Sequence, residues 1–260
     1  MVYENLIYKK GDGLALITLD RPNQANGMNY ALARELANAA QDIDLDSSIK
    51  AVILTGNGRF FCAGGDVVGM SKLGDDLAPE VKRMADELHK AISTFARMSA
   101  PVIMAVNGTA AGAGFSLAVT GDYVIASESS SFTMAYTNVG LSPDGSSSYY
   151  LPRLIGIRKT QELMFTNRVL SACEACEWNL IHCVVPDDEL LERAHSVASN
   201  FLNGAAGSNS AIKKLLLQTF DNGLETQMEI EGRLIAECAR SDNGREGIRA
   251  FSEKRKPNFD

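Results

Sequence analysis

The chain has 260 residues and no apolar run of about 18 residues or more, the length a membrane-spanning helix needs. Its first residues, Met-Val-Tyr-Glu-Asn, lack the basic and apolar stretches of a secretion signal and the arginines of a transit peptide. Cysteine is scarce and odd in number, five in all, which argues against a disulfide framework and fits a reducing compartment. The expectation is a soluble, cytoplasmic protein with no membrane partner. Positive charge is also short: 25 Lys and Arg stand against 32 Asp and Glu, a formal charge of −7. That balance argues against a general nucleic-acid binder. Internal repeats and low-complexity segments are absent as well.

Cys173, Cys176, His182 and Cys183 lie close together but do not form the two separated ligand pairs usual for zinc. His182 and Cys183 would point to opposite faces of an extended segment. The cysteines read as small buried hydrophobes, and no metal is expected.

What is present is ordinary globular material, 45% hydrophobic and 22% charged. Leu6 to Lys10 and Leu14 to Leu19 alternate about Gly11-Asp12-Gly13 and predict a hairpin. Asn29 can cap a helix over Tyr30 to Ile43. Short apolar strands follow at Ala51 to Thr55, Val102 to Val106 and Tyr123 to Ala126, with a helix over Glu80 to Met98 between the first two. Alternation of strand and helix predicts an α/β core with a largely parallel sheet over residues 1–186. Residues 187–260 carry four helical stretches: Asp188 to Asn203, Ser208 to Phe220, Leu224 to Arg240 and Asn243 to Ser252. No flexible linker separates the two regions.

Two small-residue elements each follow a buried strand: Phe60-Phe61-Cys62-Ala63-Gly64-Gly65-Asp66, and Asn107-Gly108-Thr109-Ala110-Ala111-Gly112-Ala113-Gly114. Either alone is explained by tight packing of helix on sheet. Leu117 occupies the last position of a dinucleotide-binding glycine fingerprint, so a nucleotide fold of that type is unsupported. Together, one N–H from each element can converge on a single oxygen and stabilise an enolate. Asp66 reads as a cap or an orienter of the first loop.

These elements, with Asp20-Arg21-Pro22, Leu151-Pro152-Arg153-Leu154-Ile155-Gly156 and Phe251-Ser252-Glu253-Lys254-Arg255, resemble the crotonase, or enoyl-CoA hydratase/isomerase, superfamily over nearly the whole chain. Their joint order is specific for the fold and far less so for the reaction. The resemblance implies a crotonase (ClpP-like) fold of repeated ββα units with a C-terminal helical trimerisation region. It implies a homotrimer or a dimer of trimers acting on an acyl-CoA thioester. Gly65 and Ala113 N–H groups would form the oxyanion hole. Ala63 would lie at the adenine of coenzyme A, and Phe251 and Lys254 would touch its nucleotide, commonly across a subunit boundary. Coenzyme A belongs to the substrate, so no separate cofactor is expected. Residues 67 to 80 are expected to form a mobile wall of the acyl pocket.

The same resemblance shows a departure. Hydratases of the family split water with two glutamates, whose positions here hold Ser116 and Tyr136. Asp144, within Leu141-Ser142-Pro143-Asp144-Gly145, matches the single acid/base aspartate of phenylacetate-pathway-type isomerases. By itself Pro-Asp-Gly is a turn. A single carboxylate suits a shift of a 3-enoyl-CoA double bond to position 2. The 4-chlorobenzoyl-CoA dehalogenases also place an aspartate there, as nucleophile, and their hydrolytic histidine falls at His89. The aromatic residues that clamp their ring are replaced by Gly65 and Leu88, and their nucleophile-bonding tryptophan by Tyr136. His89 also reads as a boundary residue of an amphipathic helix. A third reading is a non-catalytic CoA- or RNA-binding protein of this fold. Residues Arg245 to Lys256 hold five basic and two acidic side chains, a local balance of +3 within an acidic chain.

Overall fold

The computed structural model describes residues 3–259. Strands β1 (Leu6–Gly11) and β2 (Leu14–Leu19) form the hairpin, with Gly11 opposite Leu14. Asp12 and Gly13 both have positive φ, 52° and 79°, the backbone that a two-residue turn between twisted strands requires. From β2 the sheet continues in parallel through β3 (Ala51–Gly56), β5 (Val102–Val106), β7 (Tyr123–Ser127) and β10 (Cys183–Val185). A second sheet joins β4 (Phe60–Cys62), β6 (Thr109–Ala111), β8 (Ser131–Thr133) and β9 (Leu170–Ser171).

The apolar runs in β3 and β5 do not alternate because both faces of the large sheet are covered. Val52, Leu54, Val102 and Met104 join the main core. Helix α1 (Tyr30–Asp44) belongs to that core, capped by Asn29, which accepts from the Leu32 N–H at 2.8 Å. Ala51, Ile53, Ile103 and Ala105 face the other way, against Leu190, Ala194, Val197 and Ala198 of α7 (Leu190–Leu202).

Between these lie α2 (Val67–Met70), α3 (Leu77–Arg97), α4 (Ala113–Ala118), α5 (Ser147–Thr166) and α6 (Ala172–Glu177). The C-terminal helices are α8 (Ala206–Gln218), α9 (Leu224–Arg240) and α10 (Asp242–Ser252). One buried amine ties α8 to the core: Lys213 Nζ donates to Phe95 O at 2.8 Å, Ala100 O at 3.0 Å and Asp122 Oδ2 at 2.6 Å. Among the described residues, no helix is long and apolar enough to cross a membrane.

Candidate active site

Three adjacent parallel strands aim their carboxyl ends at one place, since β4 pairs with β6 and β6 with β8. Ligands in open parallel sheets sit outside such strand ends. Ala63, Gly64 and Gly65 follow β4; Gly112 follows β6 and opens α4 at Ala113; Met134, Ala135 and Tyr136 follow β8. The first two turns touch. A Cβ on Gly64 (φ +98°) would lie 3.0 Å from the Ala111 oxygen, and one on Gly112 (φ +49°) would lie 3.5 Å from Gly64 Cα. Glycine is therefore favoured by conformation at both positions and by contact as well at Gly64.

Ala63 N–H donates to Ala25 O at 3.0 Å and Asp66 N–H to Met28 O at 2.8 Å. The Gly65 N–H between them takes no main-chain acceptor among the described residues. Ala113 is the first residue of α4, so its N–H has no intrahelical partner. Both residues line the same cavity of about 800 Å³. Two free N–H groups on touching turns can receive one carbonyl oxygen.

Asp144 and His89 line that cavity too, as does Ala63. Tyr136 Oη donates to Asp144 Oδ1 at 2.6 Å. Ser116, fully buried on α4, has its Oγ 3.0 Å from Tyr136 Oη. The single phenolic proton is committed to Asp144, so Ser116 is the donor in that bond. Burial, the charge on Asp144 and the hydrogen bond to it all push the Tyr136 phenol far above its ordinary range. It thus remains a donor and fixes one carboxylate oxygen. The turn at 143–145 is shaped by the same contact: Gly145 has φ +60°, and a Cβ there would meet the Ser116 Cβ at 2.8 Å.

The second oxygen of Asp144 is 3.6 Å from His89 Nε2, too far for a hydrogen bond. That nitrogen accepts from the Gly145 N–H at 3.2 Å. The His89 side chain is 48% exposed against 27% for Asp144, and it does not turn away into solvent.

The rest of the cavity is mostly aliphatic, with Asp75, Lys82, Asn138 and Ser142 among its polar members. Val67 and Met70 of α2, Leu77, Val81 and Met84 of α3, and Val139 and Leu141 line it. Residues 67–80 thus form a wall, made of α2, a 3-10 turn at Gly74–Asp76 and the start of α3. Among the described residues, Tyr136 is the only phenyl-type ring of the lining, and Leu88 is buried in the core. The second carboxylate of the lining, Asp75, is exposed on that turn.

Phe251 and Lys254 are not brought to this cavity. Phe251 is 88% exposed on α10. Nearby basic charge is partly used internally, since Arg255 pairs with Glu246 and Glu253, each at 2.6 Å. His182 Nδ1 accepts from the Val124 N–H at 3.0 Å and its ring stacks on Tyr123 at 4.2 Å. The bonds joining Ser116, Tyr136 and Asp144 were not read from sequence, although the register that puts Ser116 and Tyr136 at acid positions pointed to them.

The enoyl-CoA hydratase/isomerase family profile matches residues 9–260. A probable enoyl-CoA hydratase of Rhodobacter capsulatus is 36% identical over 259 residues, covering 100% of this chain and 99% of the relative. A 1,2-epoxyphenylacetyl-CoA isomerase of Escherichia coli is 36% identical over 251 residues, 95% of each chain. A putative enoyl-CoA hydratase/isomerase of Mycobacterium abscessus has a crystal structure that superimposes with a TM-score of 0.93 at 30% identity, covering 98% of this chain and 99% of that one. The chain belongs to the enoyl-CoA hydratase/isomerase family, with its crotonase fold.

Proposed function

We propose that this enzyme is an isomerase that moves the double bond of a 3-enoyl-CoA to position 2. The observation that carries the reading is the link in which Ser116 donates to Tyr136 and Tyr136 to the Asp144 carboxylate, with Ser116 and Tyr136 at the positions where hydratases keep two glutamates. The thioester oxygen lies between the Gly65 and Ala113 N–H groups. Asp144 Oδ2 takes a proton from C2, and the electron pair spreads through the thioester as a dienolate. The same carboxylic acid then returns the proton to C4, which regenerates the carboxylate and leaves the double bond between C2 and C3. One oxyanion donor contributes about 3–4 kcal/mol to such a step. No water and no electron is consumed, and in this reading coenzyme A enters as part of the substrate. Adding water would call for a second acid/base group, which Ser116 and Tyr136 do not supply. Relatives of both kinds accompany this reading, one named a hydratase and one an isomerase.

One observation favours a second reading, hydrolytic release of halide from the ring of a haloaryl-CoA thioester. His89 Nε2 lies 3.6 Å from Asp144 Oδ2, within reach of a water on an aspartyl ester. The aliphatic lining offers no ring clamp and weighs against it.

The active assembly is proposed as a homotrimer or a dimer of trimers. Helix α9 has no buried residue, and Leu224, Met228 and Ile235 stand exposed on it. Phe251 and Lys254 would reach the coenzyme A nucleotide from a neighbouring subunit, with Ala63 at the adenine. A cytoplasmic location goes with this reading.

The test is the ultraviolet absorbance of the conjugated thioester formed from 3-enoyl-CoAs of several chain lengths and from an aryl-acetyl analogue. Absorbance rises with the wild type and not with Asp144→Asn. Halide release from a haloaryl-CoA with no conjugation activity would favour the hydrolase. Binding of thioesters without turnover of either kind would make the protein a non-catalytic CoA binder.

A further inference from the structure

Oxyanion donors act only if they are held within a few tenths of an ångström, yet residues 63–66 belong to no strand of either sheet and precede a single helical turn. Besides the bonds that Gly65 O and Asp66 O accept from the Val67 and Met70 N–H groups, their main-chain bonds run to one short segment. Ala63 N–H donates to Ala25 O, Met28 N–H to Gly64 O at 2.6 Å, and Asp66 N–H to Met28 O. Residues 21–28 are thus the surface on which the Gly65 loop is laid, and the N–H groups on either side of Gly65 are bonded to it.

Two side chains hold the segment. Asn26 is fully buried with φ 52°, a left-handed conformation that asparagine tolerates. It accepts from the Arg21 N–H at 2.9 Å and donates to Asn57 O at 2.9 Å and Phe60 O at 2.7 Å. This fastens the segment to the start of β4. Arg21 closes the other side. Its Nη1 bonds the Gly27 carbonyl, and its Nη2 donates to Asp66 Oδ2 at 2.9 Å. The pair is largely shielded, with side chains 12% and 18% exposed. Asp66 Oδ1 accepts from the Gly69 N–H at 2.8 Å and caps α2. Gly27 and Gly69 leave room for it, since a Cβ at either would lie within 3.7 Å of the Asp66 side chain.

One guanidinium therefore bridges the supporting segment at Gly27 to the residue immediately after Gly65. We infer that Arg21, acting through Asp66, is a positioning residue for the Gly65 N–H, and that it sets the strength of the hydrogen bond to the substrate carbonyl. Arg21 touches neither substrate nor the reacting atoms. Burial opposes charge on Asp66, but the Gly69 N–H and Arg21 outweigh it and hold the carboxyl below its ordinary range, so the pair is intact at neutral pH. The inference rests on Gly65 as a carbonyl-binding donor, and not on which reaction follows.

The test compares wild type, Arg21→Met, Arg21→Lys and Asp66→Asn by two readouts. The first is the infrared carbonyl frequency of a saturated acyl-CoA labelled at the thioester carbon, bound to each protein at saturation. The second is kcat against KM in the conjugation assay. Circular dichroism and acyl-CoA affinity report whether each variant is folded. The expected result is a lowered carbonyl frequency in the wild type. Much of that shift is lost in Arg21→Met, and it is partly kept in Arg21→Lys and Asp66→Asn. kcat falls about 10- to 100-fold in Arg21→Met, less than removal of a donor would give, with KM within about 3-fold. A folded Arg21→Met protein with the full wild-type shift would overturn the inference. If Arg21→Met does not fold, Arg21→Lys with the full shift does the same. No shift in the wild type would instead remove the reading of Gly65 as a carbonyl donor, and the inference with it.

Discussion

The inner wall of the cavity is main chain joined by the side chains of Tyr136 and Asp144, whereas the outer wall is made mostly of apolar side chains. At the ends of β4 and β6, Gly64 and Gly112 touch, the β4 loop is hydrogen-bonded to Ala25 and Met28, and Gly145 abuts Ser116. Across the cavity, α2 is a single turn, and Val67, Val68 and Leu77 are exposed apolar residues. The reacting groups of the proposed mechanism, Gly65, Ala113 and Asp144, all belong to the inner wall. Thioether and aliphatic side chains, which adapt to shape, make the outer one. Under the proposed function, proton transfer belongs to the hydrogen-bonded side and choice of acyl group to the apolar side.

The strongest way to break that division is at Asp144. Asp144→Asn removes the proposed base, and kcat should fall by about 10² to 10⁴, with thioester affinity measured by calorimetry unchanged. Next is Gly64→Ala, which forces a side chain into φ +98° against the Ala111 oxygen. A destabilisation of about 1–3 kcal/mol is expected, read as a lower urea midpoint and accompanied by lost turnover. Tyr136→Phe removes one donor to the carboxylate and should lower kcat about 10-fold, with little change in KM.

The outer wall should respond differently. Each added methylene of an aliphatic substrate should raise kcat/KM by at most about 4-fold until the wall is covered, from ~0.8 kcal/mol per buried group. Met84→Ala should move the best chain length upward and leave kcat for a short substrate unchanged. The smallest effect is on pH and stability. Asp66 has a lowered folded-state pKa, so its contribution is fully present above the unfolded value near ~3.9 and is lost as pH falls through the folded value. The difference in denaturation midpoint between wild type and Asp66→Asn should be constant above about pH 5 and shrink below about pH 4.

The same contrast explains what the sequence shows of the structure. The hairpin turn is legible because Asp12-Gly13 demands positive φ, and α1 because Asn29 and its apolar face agree. The C-terminal helices fall within about two residues of their expected ends, and α3 begins at Leu77 where Glu80 was expected. Strands β4, β6, β8, β9 and β10 have two or three residues each, too few for any period to show. Helix α5 contains Pro152 and breaks at Gly156 (φ +77°), so it presents no continuous apolar stripe. Helix α6 carried a readable signal that was missed, the capping box from Ser171 to Glu174.

At the site, family motifs point to Gly65, Ala113, Asp144, His89 and Ala63, and the fold gathers these five at one cavity. The link from Ser116 through Tyr136 to Asp144 joins a helix, a strand end and a turn, which no linear spacing encodes. Arg21 was visible only as part of Asp20-Arg21-Pro22, and its partner lies 45 positions away. Phe251 and Lys254 lie outside the cavity of their own chain.

The most direct measurement is the mass and absorbance of the product formed from a 3-enoyl-CoA. The account predicts an isomer of unchanged mass with the absorbance of a conjugated thioester, formed by the wild type and not by Asp144→Asn. A product heavier by one water, still formed by Asp144→Asn, would contradict it.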